Sequence, residues 1–151
     1  MELRNRETGA VITESQFRND NRNTSFPQQL TAEIIDSFGY DPVLEGPRPD
    51  TTPPYEYVAR DGVEEVDGQW FTKYVVAEYD DEVKVLMDAD RAKAVRTDRN
   101  QRLADCDWTQ LADSPLDLDG KGAWQLYRET LRLIPQQEGF PWNVTWPPLP
   151  Q

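Results

Sequence analysis

Five of the chain's twelve prolines lie between Asp41 and Pro54. Proline locks φ and carries no amide hydrogen, so this stretch should be neither a regular helix nor a central strand. It is either an extended linker or an arm wrapped onto a folded unit. From Glu78 to Arg102 the character reverses, with no proline or glycine at all. There Glu78, Asp80, Asp81, Glu82, Asp88 and Asp90 precede Arg91, Lys93, Arg96, Arg99 and Arg102. Acid first and base last is the order a helix dipole favours. The apolar stripe (Val85, Ala89, Ala92, Val95) is narrow, which predicts a long solvated helix packed lightly or against another chain.

Between these segments lies the clearest β pattern. Tyr55 to Arg60, Val63 to Val66 and Gln69 to Val76 alternate and are punctuated by Asp61-Gly62 and Asp67-Gly68. Asp-Gly pairs favour the turns that join antiparallel strands. A three-stranded meander is expected. Trp70, Thr72, Tyr74 and Val76 should share one face of its last strand. Near the start, Leu3 to Arg6 and Ala10 to Ile12 flank Glu7-Thr8-Gly9 and read as a small hairpin. Thr13 should cap a short helix, with Gln16 three residues on and Phe17 as its apolar anchor. Thr31 should cap a second helix over about Ala32 to Phe38, ended by Gly39.

Leu103 to Leu118 reads as a connector. A helix follows Asp119, with Trp124, Tyr127, Leu131 and Ile134 at three- and four-residue steps and Pro135 as its stop. The closing residues 139–148, which hold Phe140, Trp142 and Trp146, should be extended. The expected fold class is therefore α+β. A small N-terminal antiparallel sheet with short helices occupies 1–77, with a proline-rich arm at 41–54. A long charged helix and a C-terminal helical module with a Trp- and Pro-rich tail occupy 78–151.

Composition excludes several functions. There is no histidine and one cysteine, so neither a Cys/His zinc site nor a histidine-based nucleophile pair can form within the chain. The formal charge is -12, divided as -7 in 1–77 (7 basic, 14 acidic) and -5 in 78–151 (9 basic, 14 acidic). Phosphate backbones repel such a chain, so no nucleic-acid partner is expected. Only 37% of residues are hydrophobic, a lean core for 151 residues, which raises the prospect of a partner completing the structure. No apolar run approaches a membrane span, and the first residues lack a signal-peptide pattern. A cytoplasmic protein is expected, and the sequons at Asn23 and Asn143 read as chance.

Candidate chemistry is thin. Glu64 and Glu65 fall on opposite faces of a strand and cannot share a substrate. Asp80-Asp81-Glu82 suits a helix start better than a metal. The run from Asp117 to Gly122 fails as a calcium loop, because Lys121 and Arg128 stand where oxygen ligands belong. Capping by Asp117 or Asp119 explains it better. Cys106, between Asp105 and Asp107, lacks the electropositive setting of a reactive thiol and reads as a small buried filler. No catalytic residue, cofactor or metal is expected. A carboxylate-dependent hydrolase has no pocket argument behind it. The concentrated aromatics either pack on one another or leave some exposed as anchors for a partner protein. Trp108, Leu111, Trp124, Tyr127, Leu131, Trp142 and Trp146 are the candidate partner-binding residues.

The run from Arg99 to Leu111, then Ser114-Pro115-Leu116, resembles the tailed-bacteriophage tail assembly chaperone family. Trp124 to Arg128, Leu131-Arg132, Ile134-Pro135, Gly139-Phe140-Pro141 and Trp146-Pro147 continue the resemblance. It spans about Arg96 to Pro148, with Gly120 and Gly122 departing from the usual helix-rich start. The N-terminal part is similar to the segment often joined to this module, through Thr24 to Pro27, Leu30-Thr31, Phe38-Gly39-Tyr40 and Gly62 to Tyr74. The resemblance implies a non-enzymatic phage tail or tail-fibre assembly protein acting in the host cytoplasm. Its implied partner is a tail or tail-fibre protein, with self-association as an additional mode. The alternative is a structural subunit of the baseplate, tail or fibre attachment that stays in the virion.

Overall fold

The computed structural model describes residues 1–150. The chain divides into two compact units, Met1–Glu78 and Tyr79–Gln151. The α+β class is as expected.

The first unit is a five-stranded sheet in the order β2-β1-β3-β5-β4 with two short helices. Strands β1 (Glu2–Asn5) and β2 (Val11–Thr13) form the N-terminal hairpin, and Gly9 has a positive φ of 73° in its turn. Thr13 accepts the Gln16 amide and so caps α1 (Glu14–Asp20). The Gln16 side chain turns to Asp20 instead of closing the capping box. Thr31 likewise caps α2 (Ala32–Ser37), and Gly39 follows at φ 76°. Phe17 is fully buried, with the rings of Phe26, Phe38 and Tyr40 all 5.3–5.4 Å away. Leu3, Leu30 and Ile35 complete this core.

Three expectations for this unit are corrected. First, residues 40–44 form β3 (Tyr40–Leu44), which lies between β1 and β5 despite Pro42. The Arg6 amide donates to Gly39 O, so alternation makes Leu3 and Pro42 a non-hydrogen-bonded pair. Pairing to β5 begins only at Val43, so the ladder never asks Pro42 for an amide hydrogen. Secondly, the sheet is not wholly antiparallel, because β3 and β5 run parallel. Parallel neighbours need a long crossover, and the proline-rich stretch with β4 supplies it. Thirdly, the meander is a two-stranded hairpin. Strand β4 (Glu56–Val66) passes straight through Asp61-Gly62 and pairs with β5 (Gln69–Glu78). Arg60 faces Tyr74 and Val63 faces Thr72, so β4 holds one extra residue there, a β-bulge with Gly62 at φ 81°. Asp67-Gly68 is the real turn, with both residues at positive φ (51° and 78°).

The rest of the proline-rich stretch is an arm packed on the sheet. Gly46 is buried so close to the Thr72 carbonyl that a Cβ would collide with it. Arg48 stacks 4.9 Å from the Tyr74 ring centroid and donates to Glu45. The Tyr74 hydroxyl donates to Glu45 at 2.7 Å. This bond, followed by the one from Arg48, holds the Glu45 carboxyl below its ordinary pKa. A depressed carboxyl stabilises the fold above its unfolded pKa, and that contribution fades as pH falls through the folded value. Acid titration of unfolding should therefore show a smaller pH dependence in Glu45→Gln than in the parent, between neutral pH and the acid side of the carboxylate range.

The second unit opens with the long charged helix α3 (Asp81–Asp105). Only the later half of its apolar stripe is buried: Ala92 and Val95 are covered, whereas Val85 is 66% exposed. A 3₁₀ turn (Asp107–Gln110) follows, so part of the expected connector is helical. Helix α4 (Leu118–Leu133) begins at Asp117, whose side chain accepts the Gly120 amide at 2.8 Å. A second 3₁₀ turn (Ile134–Gln136) contains Pro135, and the tail after it has no regular structure.

Candidate partner-binding surface

The second unit is assembled around α4. Its three- and four-residue periodicity turns Tyr127 and Leu131 inward, where they pack with Cys106. Leu103, Trp124 and Trp146 close over this core. Arg128 lies on the same side and is buried. Its Nη1 donates to the Leu103 carbonyl (2.8 Å) and to Cys106 Sγ (3.1 Å), and its Nη2 donates to Asp107 (2.8 Å). Burial works to lower the guanidinium pKa, but the bonds to Asp107 and Cys106 outweigh it and leave it raised. Arg128 thus satisfies the end of α3 and fixes the 3₁₀ turn that carries Trp108. Sequence patterning missed this role, since a lone arginine on a helix ordinarily reads as solvent-facing.

The tail is held by side chains of α3 and by Gln137, just past the second 3₁₀ turn. Gln137 accepts the Thr145 amide (2.7 Å) and donates to the Thr145 carbonyl (2.9 Å). The Trp142 indole donates to Asp88 at 2.6 Å. Arg96 lies over Phe140 and Arg102 over Trp146, at 5.1 and 4.3 Å from the ring centroids. Gly139 has no room for a Cβ, which would strike the Asn143 carbonyl. That close approach turns the chain back toward α4.

The seven candidate residues therefore separate by burial. Leu131 is wholly inside and Tyr127 is 4% exposed, so both act mainly as the frame. Trp124, Trp142 and Trp146 are half-buried. Trp108 and Leu111 are the exposed ones, at 43% and 57%. Trp108 meets Trp124 edge-on at 5.8 Å, and Trp124 meets Tyr127 the same way at 5.6 Å. An aromatic series thus runs from the surface into the core. Beyond it, α4 and the tail enclose an apolar groove of about 520 Å³. Ala123, Leu126, Tyr127 and Thr130 form one wall, and Trp146 to Pro150 form much of the other. Leu126 and Leu149 there are 65% and 67% exposed. Neither was singled out in the sequence, because exposure of a single leucine has no periodic signature. The described residues contain no cluster of His, Cys, Asp or Glu suited to a metal ion. None of their helices is long and apolar enough to cross a membrane. What this surface offers is aromatic and aliphatic contact area.

Residues 92–151 match the family model described as phage tail assembly chaperone protein. The family resemblance read from the sequence thus holds for the C-terminal module. The chaperone-family match begins at Ala92, the first buried residue of α3, and takes in Trp108, α4, the groove and the tail. The sheet unit and the first half of α3 lie outside it. Comparison with curated proteins and with solved structures finds no match. The chaperone-family match supports a role in bacteriophage tail assembly.

Proposed function

We propose that this chain binds a bacteriophage tail or tail-fibre protein in the host cell during assembly and covers its apolar or edge-strand surface until that surface is built in. The family match supplies the assembly setting. The observation that carries the binding surface is the exposed Trp108 and Leu111 beside Trp124, with the apolar groove along α4. Tryptophan anchors on a rigid support are frequent hot spots, and an apolar groove admits a partner's side chains. The chain's net charge of -12 keeps such a complex soluble and favours a partner whose contact surface is basic. The surface binds and does not catalyse.

A pull-down from infected cells with the tagged chain identifies the partner. Trp108→Ala should then weaken binding by about 30-fold, the loss that a hot spot of about 2 kcal/mol implies. Circular dichroism of the variant should stay that of the parent. Unchanged affinity would place the contact elsewhere. Equal yield of correctly assembled tail protein with and without this chain would sink the chaperone role. A stoichiometric amount in purified virions would make the chain a structural subunit instead.

A further inference from the structure

We infer that the groove along α4 takes an amphipathic helix of the tail protein, with its apolar side on Leu126 and basic residues beside Asp119 and Glu129. The inference rests on the tail-protein reading above for the partner's identity, and adds the form and charge of the segment that docks.

Hydrogen bonding selects the form. Along the groove, Gln137 is engaged with both backbone groups of Thr145, and the Thr130 hydroxyl donates to the Leu126 carbonyl. The Tyr127 hydroxyl meets Arg102. The backbone of α4 is used by the helix itself. On the other wall, Pro147, Pro148 and Pro150 have no amide hydrogen. A strand docks through backbone groups at every second residue. Thr145, Pro147 and Leu149 offer only the Leu149 amide, since Gln137 holds that of Thr145. Trp146, Pro148 and Pro150 offer only the Trp146 amide. An extended segment therefore finds no ladder here, and its covered backbone groups would lack partners. A helix brings its own hydrogen bonds and needs only apolar contact. Ala123 to Thr130 spans about two turns, so the docked helix should present apolar side chains at i, i+3 or i+4, and i+7.

Charge selects the flanks of that helix. Asp119, Ala123, Leu126 and Thr130 follow at steps of four, three and four, so they fall along one line and Asp119 extends the α4 wall by one turn. Glu129 lies about 60° from Leu126 around the helix, on the outer rim. Lys121 and Arg132 lie roughly 120–140° from Leu126, on the far side. Arg128 is buried, and Arg102, which stacks on Trp146, is paired with Asp98. Residues 139–150 of the tail carry no charged side chain. Asp119 and Glu129 form no ion pair among the described residues. The rim is thus acidic with no cation of its own to offset it, which favours Lys or Arg beside the apolar anchors of the docked helix.

Three synthetic peptides of about 15 residues, long enough to form a helix on binding, test this with the full chain. The first is a leucine–lysine peptide with leucines at i, i+3, i+4 and i+7. The second has glutamate in place of lysine, and the third is the first with a central proline. Tryptophan emission reports binding, since Trp146 lines the groove, and far-UV circular dichroism reports helix. The leucine–lysine peptide should bind and gain helix, and the other two should bind at least about tenfold more weakly. Leu126→Ser keeps the net charge and should weaken the first peptide about tenfold. Asp119→Lys should weaken it several-fold and flatten its salt dependence. Equal affinity for the lysine and glutamate peptides overturns the proposal, as does equal affinity for the proline peptide. So does a lysine peptide that binds Leu126→Ser as tightly as the parent, because it then sits elsewhere on the acidic surface. If the tail protein is captured through Trp108 and is indifferent to Leu126→Ser and Asp119→Lys, the tail-protein reading stands and the groove assignment falls. If the peptides behave as expected but no tail protein is captured, that reading falls and the groove's preference for a basic amphipathic helix stands.

Discussion

Leu131→Ala should destabilise the C-terminal unit by about 2–5 kcal/mol, the usual cost of a buried leucine truncation. Leu131 has no exposed surface and packs with Tyr127 and Cys106. The loss combines the transfer energy of the deleted atoms with a cavity that helices joined by rigid turns collapse into poorly. Domains have about 5–15 kcal/mol of stability in all, and a unit of this size belongs at the low end. The variant should therefore populate unfolded C-terminal unit measurably at 37 °C. Four of the five tryptophans (Trp108, Trp124, Trp142 and Trp146) lie in this unit, so tryptophan emission in urea follows it directly. The midpoint should fall well below the parent's, and binding of the tail protein should fall with it. An unchanged midpoint would mean that Leu131 is not the keystone its burial makes it.

Phe17→Ala should cost the N-terminal unit about 3–5 kcal/mol. No other phenylalanine or tryptophan is so deeply buried, and the rings of Phe26, Phe38 and Tyr40 all pack around Phe17, with Phe26 and Phe38 also touching each other. Removing it leaves α1 without its anchor and opens the side of the sheet that Leu3 and Ile35 cover. Methyl resonances of Leu3, Ile12 and Ile35 report on this core. Their dispersion should collapse in Phe17→Ala at temperatures where the parent retains it. Retained dispersion would show that Phe26, Phe38 and Tyr40 can close the gap.

Both experiments probe cores whose seeds are visible along the chain. Phe17 follows a capped start, and Leu131 lies on a periodic face. The partner surface was less legible. Trp108 and Leu131 carry equal aromatic or aliphatic weight in a sequence, yet one is a surface anchor and the other is wholly enclosed. The difference lies in where the 3₁₀ turn after α3 sends Trp108, and Arg128 holds that turn from twenty-one residues away. The groove needed the tail to fold back from Gly139, a consequence of one backbone contact with Asn143.

The sequence by itself determined whatever depends on neighbours within about four residues. The caps at Thr13 and Thr31, the left-handed Gly39 and the inward face of α4 are of this kind, because their hydrogen bonds and side-chain stripes close locally. Only the tertiary structure decided matters settled by distant partners. Asp61-Gly62 and Asp67-Gly68 have the same local chemistry, but the register with β5 makes one a bulge and the other a turn. Pro42 enters the middle of a sheet because the pairing there spares its missing amide. Most of the first half of α3 is exposed because the unit's apolar core begins only at Ala92. In each case the deciding energy is burial or hydrogen bonding against residues remote in sequence, which no local pattern encodes.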